Sequence, residues 1–402
     1  MTISLLTWLL LPSALMVSLT LSSFSAGLLV SSTIILTLVI IKQQTVKISV
    51  AYLMASVISI LWTVVNNYSM GSGDQTKPVL TILLLLLCGF AVASMLKQEK
   101  EEELQRSLKI VFWTLIFIGL AGTLNLLPLG PYQHLNRPLP PFSEPSHFAL
   151  IYAPIACSYV LVCKKALRPF VCLISLFLSL TLPNLTLLVA TFLVSTVSLS
   201  NRQIFTTISA SLALSIALIA SGTISIDYFL NRLTDPDAEN LSRLVYAQGW
   251  ESIASALHYS SGLGVGFQNL GSEPPGQAAA KIEALTAGSL NRLDGGFLAA
   301  KIIGEFGVVG IILVFSTTVV AFLSGLELRR QITKNISTKK DEYIPMCFTY
   351  TIVLELFFRG TGYFSPSFLM FLYFLPKALK LIRRRKSIRA LSDSRSIDSN
   401  FI

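Results

Sequence analysis

Charge is scarce in this chain. Asp, Glu, Lys and Arg make up 13% of its 402 residues, where a soluble domain carries about a quarter. Histidine is scarcer still, with three copies. The five cysteines (Cys88, Cys157, Cys163, Cys172 and Cys347) fall in or at the ends of apolar runs, and no two have metal-ligand spacing. They exclude a disulfide framework and a zinc site from the expectations and read as small core residues. A soluble basic face is also missing, so the net charge of +10 does not point to nucleic acid.

What the chain has is hydrophobic sequence, 53% of it, in long runs from end to end. A helix needs about 20 apolar residues to cross a bilayer core. The expected fold class is therefore an all-α polytopic membrane protein. Twelve spans are expected: about 3–22, 24–41, 48–66, 79–96, 110–128, 148–163, 169–182, 185–200, 204–222, 297–324, 343–358 and 367–382. The first lacks a basic leader and reads as a retained helix, not a cleaved signal peptide. The seventh and eighth are short and share Pro183 and Asn184 as a turn, so one broken helix is the alternative.

Positive charge sets the expected orientation. With both termini inside, 23 of the 31 Lys and Arg residues fall on inner loops or in the tail, including the run "LIRRRKSIR". That run suits an anionic inner leaflet. The eight others are Lys77, Arg137, Arg232, Arg243, Lys281, Arg292, Lys301 and Arg359. All three histidines, His134, His147 and His258, share their side. The expected organisation is nine spans in 1–222 with an outer loop at 129–147, a large outer loop at 223–296, three spans in 297–382, and a basic inner tail at 383–402. Polar chemistry thus gathers on one face.

Four stretches carry it. "PLPPFSEPSHFALIY" (138–152) sets Glu144 and His147 at the start of the sixth span, with Ser143 or Ser146 as its cap and Pro145 in its first turn. A helix N-terminus favours an anion, so Glu144 is expected ionised and His147 neutral. Residues 240–258 read as an amphipathic interfacial helix with Arg243, Trp250 and His258 in one sector. "SSGLGVGFQNLG" (260–271) has glycines that let backbone approach a ligand or another helix closely; it follows no strand and is not read as a dinucleotide site. In 290–315 Asp294 stands before the tenth span, and Lys301 and Glu305 are spaced to pair inside the apolar zone. In 354–367 Arg359 stands four residues after Glu355, again in pairing range. Arginine binds a diphosphate through a planar fork that stays charged, and arginines at a lipid-facing mouth suit a lipid-linked pyrophosphate.

In their order, "FSEPSHFALIYAPI", "SRLVYAQGWESIASALHYSSGLGVGFQNLG", "DGGFLAAKIIGEFGVVGIILVF" and "FFRGTGYFSPSF" resemble the bacterial O-antigen polymerases, part of a superfamily that includes the O-antigen ligases. Specific motifs cover about 142–155 and 240–366; elsewhere the likeness is one of topology. The resemblance implies a GT-C-like, metal-independent inverting glycosyltransferase of the bacterial inner membrane that needs no cofactor. It would join undecaprenyl-diphosphate-linked repeat units at the periplasmic face, with membrane lipid around it and a chain-length-determining co-polymerase as partner. By the same resemblance Arg243 and Arg359 serve the diphosphate. Arg137, Arg232, Arg292, His258 and Trp250 join them as substrate-binding candidates. His147, Glu144 and Asp294, in that order, are candidates for the base. The ligases carry a histidine-asparagine pair where this chain has Asp294-Gly295, which separates it from them. A ligase and a non-enzymatic lipid-linked oligosaccharide flippase or transporter are the alternatives.

Overall fold

The computed structural model describes residues 1–21, 23–42, 57, 61, 76–97, 101–126, 132, 139–221, 241–272, 274–286, 295–334 and 342–398. Among them no strand forms, and the bridges Leu139 to Phe142 and Thr361 to Tyr363 are isolated. The helices are α1 (Thr2–Ser18), α2 (Ser25–Ile41), α3 (Thr76–Lys97), α4 (Glu101–Thr123), α5 (Pro145–Val162), α6 (Arg168–Thr181) and α7 (Leu185–Ser198). They continue with α8 (Asn201–Ala220), α9 (Leu241–Tyr259), α10 (Gln277–Thr286), α11 (Leu298–Lys334), α12 (Tyr343–Thr351), α13 (Val353–Phe357) and α14 (Pro366–Asp398).

Among the described residues, four stretches are long and apolar enough to cross a bilayer: Thr76–Leu96, Glu102–Thr123, Pro145–Val162 and Leu298–Ile332. Thr2–Ser18, Ser25–Ile41, Leu185–Ser198 and Tyr343–Phe357 are shorter apolar helices. An all-helical chain with this pattern is consistent with a membrane protein. Each expected span that falls on described residues overlaps a helix. The third, 48–66, lies outside them apart from Val57 and Leu61. Residues 169–200 form two helices, not one broken helix: Asn184 caps α7 by accepting from the Leu187 N–H at 3.0 Å, and α6 and α7 pack on each other. The last helix runs past the expected end at 382, through the basic run to Asp398. Leu, Ala, Lys and Arg are strong helix formers, so loss of hydropathy ends the apolar segment without ending the helix.

α5 is the centre of the bundle. Fifteen of its eighteen residues are buried, which leaves it no face for lipid. It packs against α4, α7, α12 and α14. Small residues such as Ala149, Ala153, Ala156 and Ser158 allow close helix contact, and a stack of Phe112 on Tyr159 fills one side (centroids 4.1 Å apart). At the far end of α5 the buried Arg168 donates to the carbonyls of Leu161 and Ser198, and Arg329 donates to those of Thr196 and Leu199. Arginines here complete helix C-termini whose last carbonyls lack intrahelical donors.

α11 is broken at Gly307, where φ is 57° and ψ is −131°. The glycine segment after α9 fills the break. Val265 and Gly266 donate to the carbonyls of Gly304 (2.9 Å) and Glu305 (3.0 Å), and Val308 donates to the carbonyl of Gly262 (2.9 Å). Backbone groups freed by the break are thus satisfied by protein, as an apolar surrounding requires. A Cβ on Gly264 would collide with the Glu305 carbonyl, and one on Gly307 with that of Gly262. Of the two roles open to "GLGVG" in the sequence, the described contacts are those of close approach to a helix.

Candidate functional site

At the start of α5 the chain turns through Leu139 and Phe142 (N–H to carbonyl, 2.7 Å) and reaches Glu144 in an extended conformation. Glu144 is the N-cap residue and Pro145 the first helical one. Neither Ser143 nor Ser146 caps the helix, contrary to expectation. Both hydroxyls go to the neighbouring side chains instead. Ser146 donates to Glu144 Oε1 at 2.6 Å, and Ser143 Oγ lies 2.8 Å from His147 Nδ1. The Ser146 hydroxyl thus spends its proton on a charged acceptor, which makes a stronger hydrogen bond than a neutral one.

Arg359 completes the group. Its Nε and Nη2 donate to Glu144 Oε1 at 3.0 and 2.5 Å, and His147 Nε2 is 3.1 Å from the same oxygen. The expected pairing of Arg359 with Glu355 does not form. That pairing needs a continuous helix, but α13 stops at Phe357. Glu355 points into the bundle, where Ser365 (3.0 Å) and Ser367 (2.5 Å) donate to it. Accessibility falls in the order Glu144 (38%), Arg359 (25%) and His147 (11%), so the carboxylate faces the opening and the imidazole backs it. The Phe24 ring meets the imidazole edge-on, centroids 5.1 Å apart.

The electrostatics follow from these distances. Burial pushes the Glu144 carboxyl up, but the neighbouring imidazole, the Arg359 guanidinium and the Ser146 hydroxyl together bring it down to about 2. A carboxylate with a depressed folded-state value contributes stability that is full above its ordinary value near 4.5 and lost as pH falls through about 2. Glu144 is therefore an anion throughout the physiological range. Both ring nitrogens of His147 are engaged, one by Glu144 and one by Ser143.

Beside this cluster lies a glycine joint. Gly360 N–H donates to the Gly296 carbonyl at 3.0 Å. A Cβ at Gly360 would meet the backbone of Phe297 and Leu298, and one at Gly296 the carbonyl of Val245 on α9. Gly296 also has φ of 73°, so glycine is required twice over. Arg243 stands on the same helix, two residues before Val245. Among the described residues, Arg243 Nη1 is buried and has no hydrogen-bond partner. Tyr246 and Trp250 lean on Phe297, centroids 5.1 and 5.3 Å away.

Not every sequence candidate joins the cluster. His258 is exposed near the end of α9, ~22 Å along the helix from Arg243 at 1.5 Å per residue, too far to share one diphosphate with it. Trp250 is 46% exposed and its ring contacts are with Tyr246 and Phe297, not with the Glu144 cluster. Glu251 caps α10 by accepting from the Ala278 N–H. Asp294, Arg137, Arg232 and Arg292 lie outside the described residues. Lys301 and Glu305 do pair, at 3.0 Å and fully buried. Tyr363 from the Arg359 loop donates to Glu305 Oε2 at 2.7 Å, a third member that the sequence pattern did not announce.

The cluster thus offers a forked cation, an anionic carboxylate and an imidazole at one partly open helix mouth. That set can hold an anionic group and receive a proton beside it. Compared with protein-family models, curated proteins and solved structures, the chain matches none.

Proposed function

We propose that the chain is a bacterial O-antigen polymerase: a metal-independent inverting glycosyltransferase that joins undecaprenyl-diphosphate-linked repeat units. In this reading it has twelve spans and a GT-C-like arrangement in the inner membrane, with both termini cytoplasmic and the α5 mouth facing the periplasm. A chain-length-determining co-polymerase is its partner. One observation carries the reading most: Arg359, which follows α13, is hydrogen-bonded to Glu144 beside His147, at the start of the central helix.

Transfer to a sugar hydroxyl makes two demands. The departing diphosphate gains charge, which a preorganised guanidinium offsets. The attacking hydroxyl loses a proton, which a nearby base accepts. Arg359 and Arg243 meet the first demand, and the Nη1 of Arg243, which has no partner among the described residues, suits an anion. For the second, the geometry supports Glu144 ahead of His147, because both imidazole nitrogens already have partners. Asp294 remains a third candidate from the resemblance.

Arg243→Ala and Arg359→Ala test the reading. Each is expected to lower the transfer rate by ~10²–10³, the effect of removing one donor to a developing negative charge, while protein level in the membrane is unchanged. Full-length glycan from a strain carrying either variant would overturn the assignment.

A further inference from the structure

Among the described residues, each hydrogen bond and ion pair made by the Glu144 carboxylate falls on Oε1. Ser146, His147 and two nitrogens of Arg359 converge on that oxygen. Oε2 has no partner among the described residues, on a side chain that is 38% exposed. Arg359 is thus engaged with an internal anion at the mouth where a diphosphate would sit. Both anions suit the same fork, and a diphosphate carries more charge than one carboxylate.

The backbone around Arg359 is anchored independently of the guanidinium. Gly360 is held by the Gly296 carbonyl (3.0 Å), Tyr363 by Glu305 (2.7 Å), and Ser365 by Glu355 (3.0 Å). The guanidinium can therefore change partners by side-chain rotation while its loop stays in place. Glu144 would keep Ser146 and His147 when Arg359 leaves. What it would lose is a full opposing charge.

We propose that Arg359 exchanges from Glu144 to the donor's diphosphate, and that this exchange unmasks Glu144 as the base for the acceptor hydroxyl. The inference rests on the glycosyl-transfer reading above. The acceptor's O–H proton passes to Glu144 Oε2. The acceptor oxygen bonds to the anomeric carbon as the bond from that carbon to the diphosphate oxygen breaks. The bonding pair leaves with undecaprenyl diphosphate, whose added charge faces Arg359. Glu144 then returns its proton to water and takes Arg359 back when the diphosphate departs. An acceptor is activated only while a donor is bound, which couples the two halves of the site.

The test uses the full-length protein in phospholipid nanodiscs with undecaprenyl diphosphate, free of sugar, as the probe. Internal competition predicts an unusual sign: Glu144→Gln binds the probe about tenfold more tightly than wild type, a factor equal to ~1.4 kcal/mol, yet elongates no glycan. Arg359→Gln binds it at least tenfold more weakly. Glu144→Asp, which keeps the carboxylate, is expected to recover part of the elongation. A Glu144→Gln variant that binds the probe no better than wild type, or that still elongates glycan, overturns the exchange. The two readings fail separately. Wild type that binds the probe with this pattern but never joins repeat units removes the polymerase reading alone. Wild type that polymerises while Glu144→Gln binds no tighter removes the exchange alone.

Discussion

Glu144 and Arg359 stand 215 positions apart and share one carboxylate oxygen, with His147 against the same atom. In the proposed reading each side chain contributes something separable: Arg359 would supply charge, Glu144 would accept the proton, and His147 would orient Glu144. A hydrogen bond to a charged group contributes about 1.5–3 kcal/mol. His147→Ala is accordingly expected to lower glycan elongation by ~10–100-fold, whereas His134→Ala changes it by less than about twofold. His147→Gln, whose amide can still donate to Glu144, should retain more activity than His147→Ala at equal protein level. Elongation assays on membranes from the three strains check this, and equal losses for His134→Ala and His147→Ala would reject the role. The local grammar at this site was legible in the sequence: Pro145 opens the helix and places Glu144 and His147 at its mouth. The partner of Arg359 was not. The four-residue rule pointed to Glu355, and it applies only while a helix continues; here it ends at Phe357.

Among the elements, α11 bears the most unusual feature, a break at Gly307 filled by the glycine segment that follows α9. The buried Lys301/Glu305 pair sits in the turn before the break, tied to the Arg359 loop by Tyr363. Removing one member of a buried pair leaves an uncompensated charge and costs about 3–5 kcal/mol, while replacing both with apolar residues is often near neutral. Lys301→Met alone should therefore lower the thermal stability of the detergent-solubilised protein sharply. The double variant Lys301→Met/Glu305→Leu should regain much of the loss, and a double variant as unstable as both losses summed would show that the pair is not coupled. The glycines of 260–271 announced close approach from sequence alone, because only glycine tolerates it. Which element they approach depends on contacts from residues 40 positions onward, and no local pattern carries that information.

For the whole molecule, hydropathy made the helical class readable, since apolar runs of this length leave few other structures in a bilayer. It was less informative about helix ends: α14 continues through its basic run, and α12 and α13 divide one apolar stretch. The central place of α5 was also hidden, because its hydropathy is no higher than that of α11, whose surface is largely exposed. Burial is set by neighbours, not by composition. The resulting architecture puts a buried central helix under a partly open cluster of Glu144, His147 and Arg359, and the proposed function places polymerisation at that mouth. Deleting the gene and separating the surface glycan by size on a gel tests this assignment most directly. Loss of a polymerase leaves a band of single repeat units on the lipid core, with the ladder restored by the wild-type gene. An unchanged ladder, or a lipid core carrying no repeat unit at all, would contradict it.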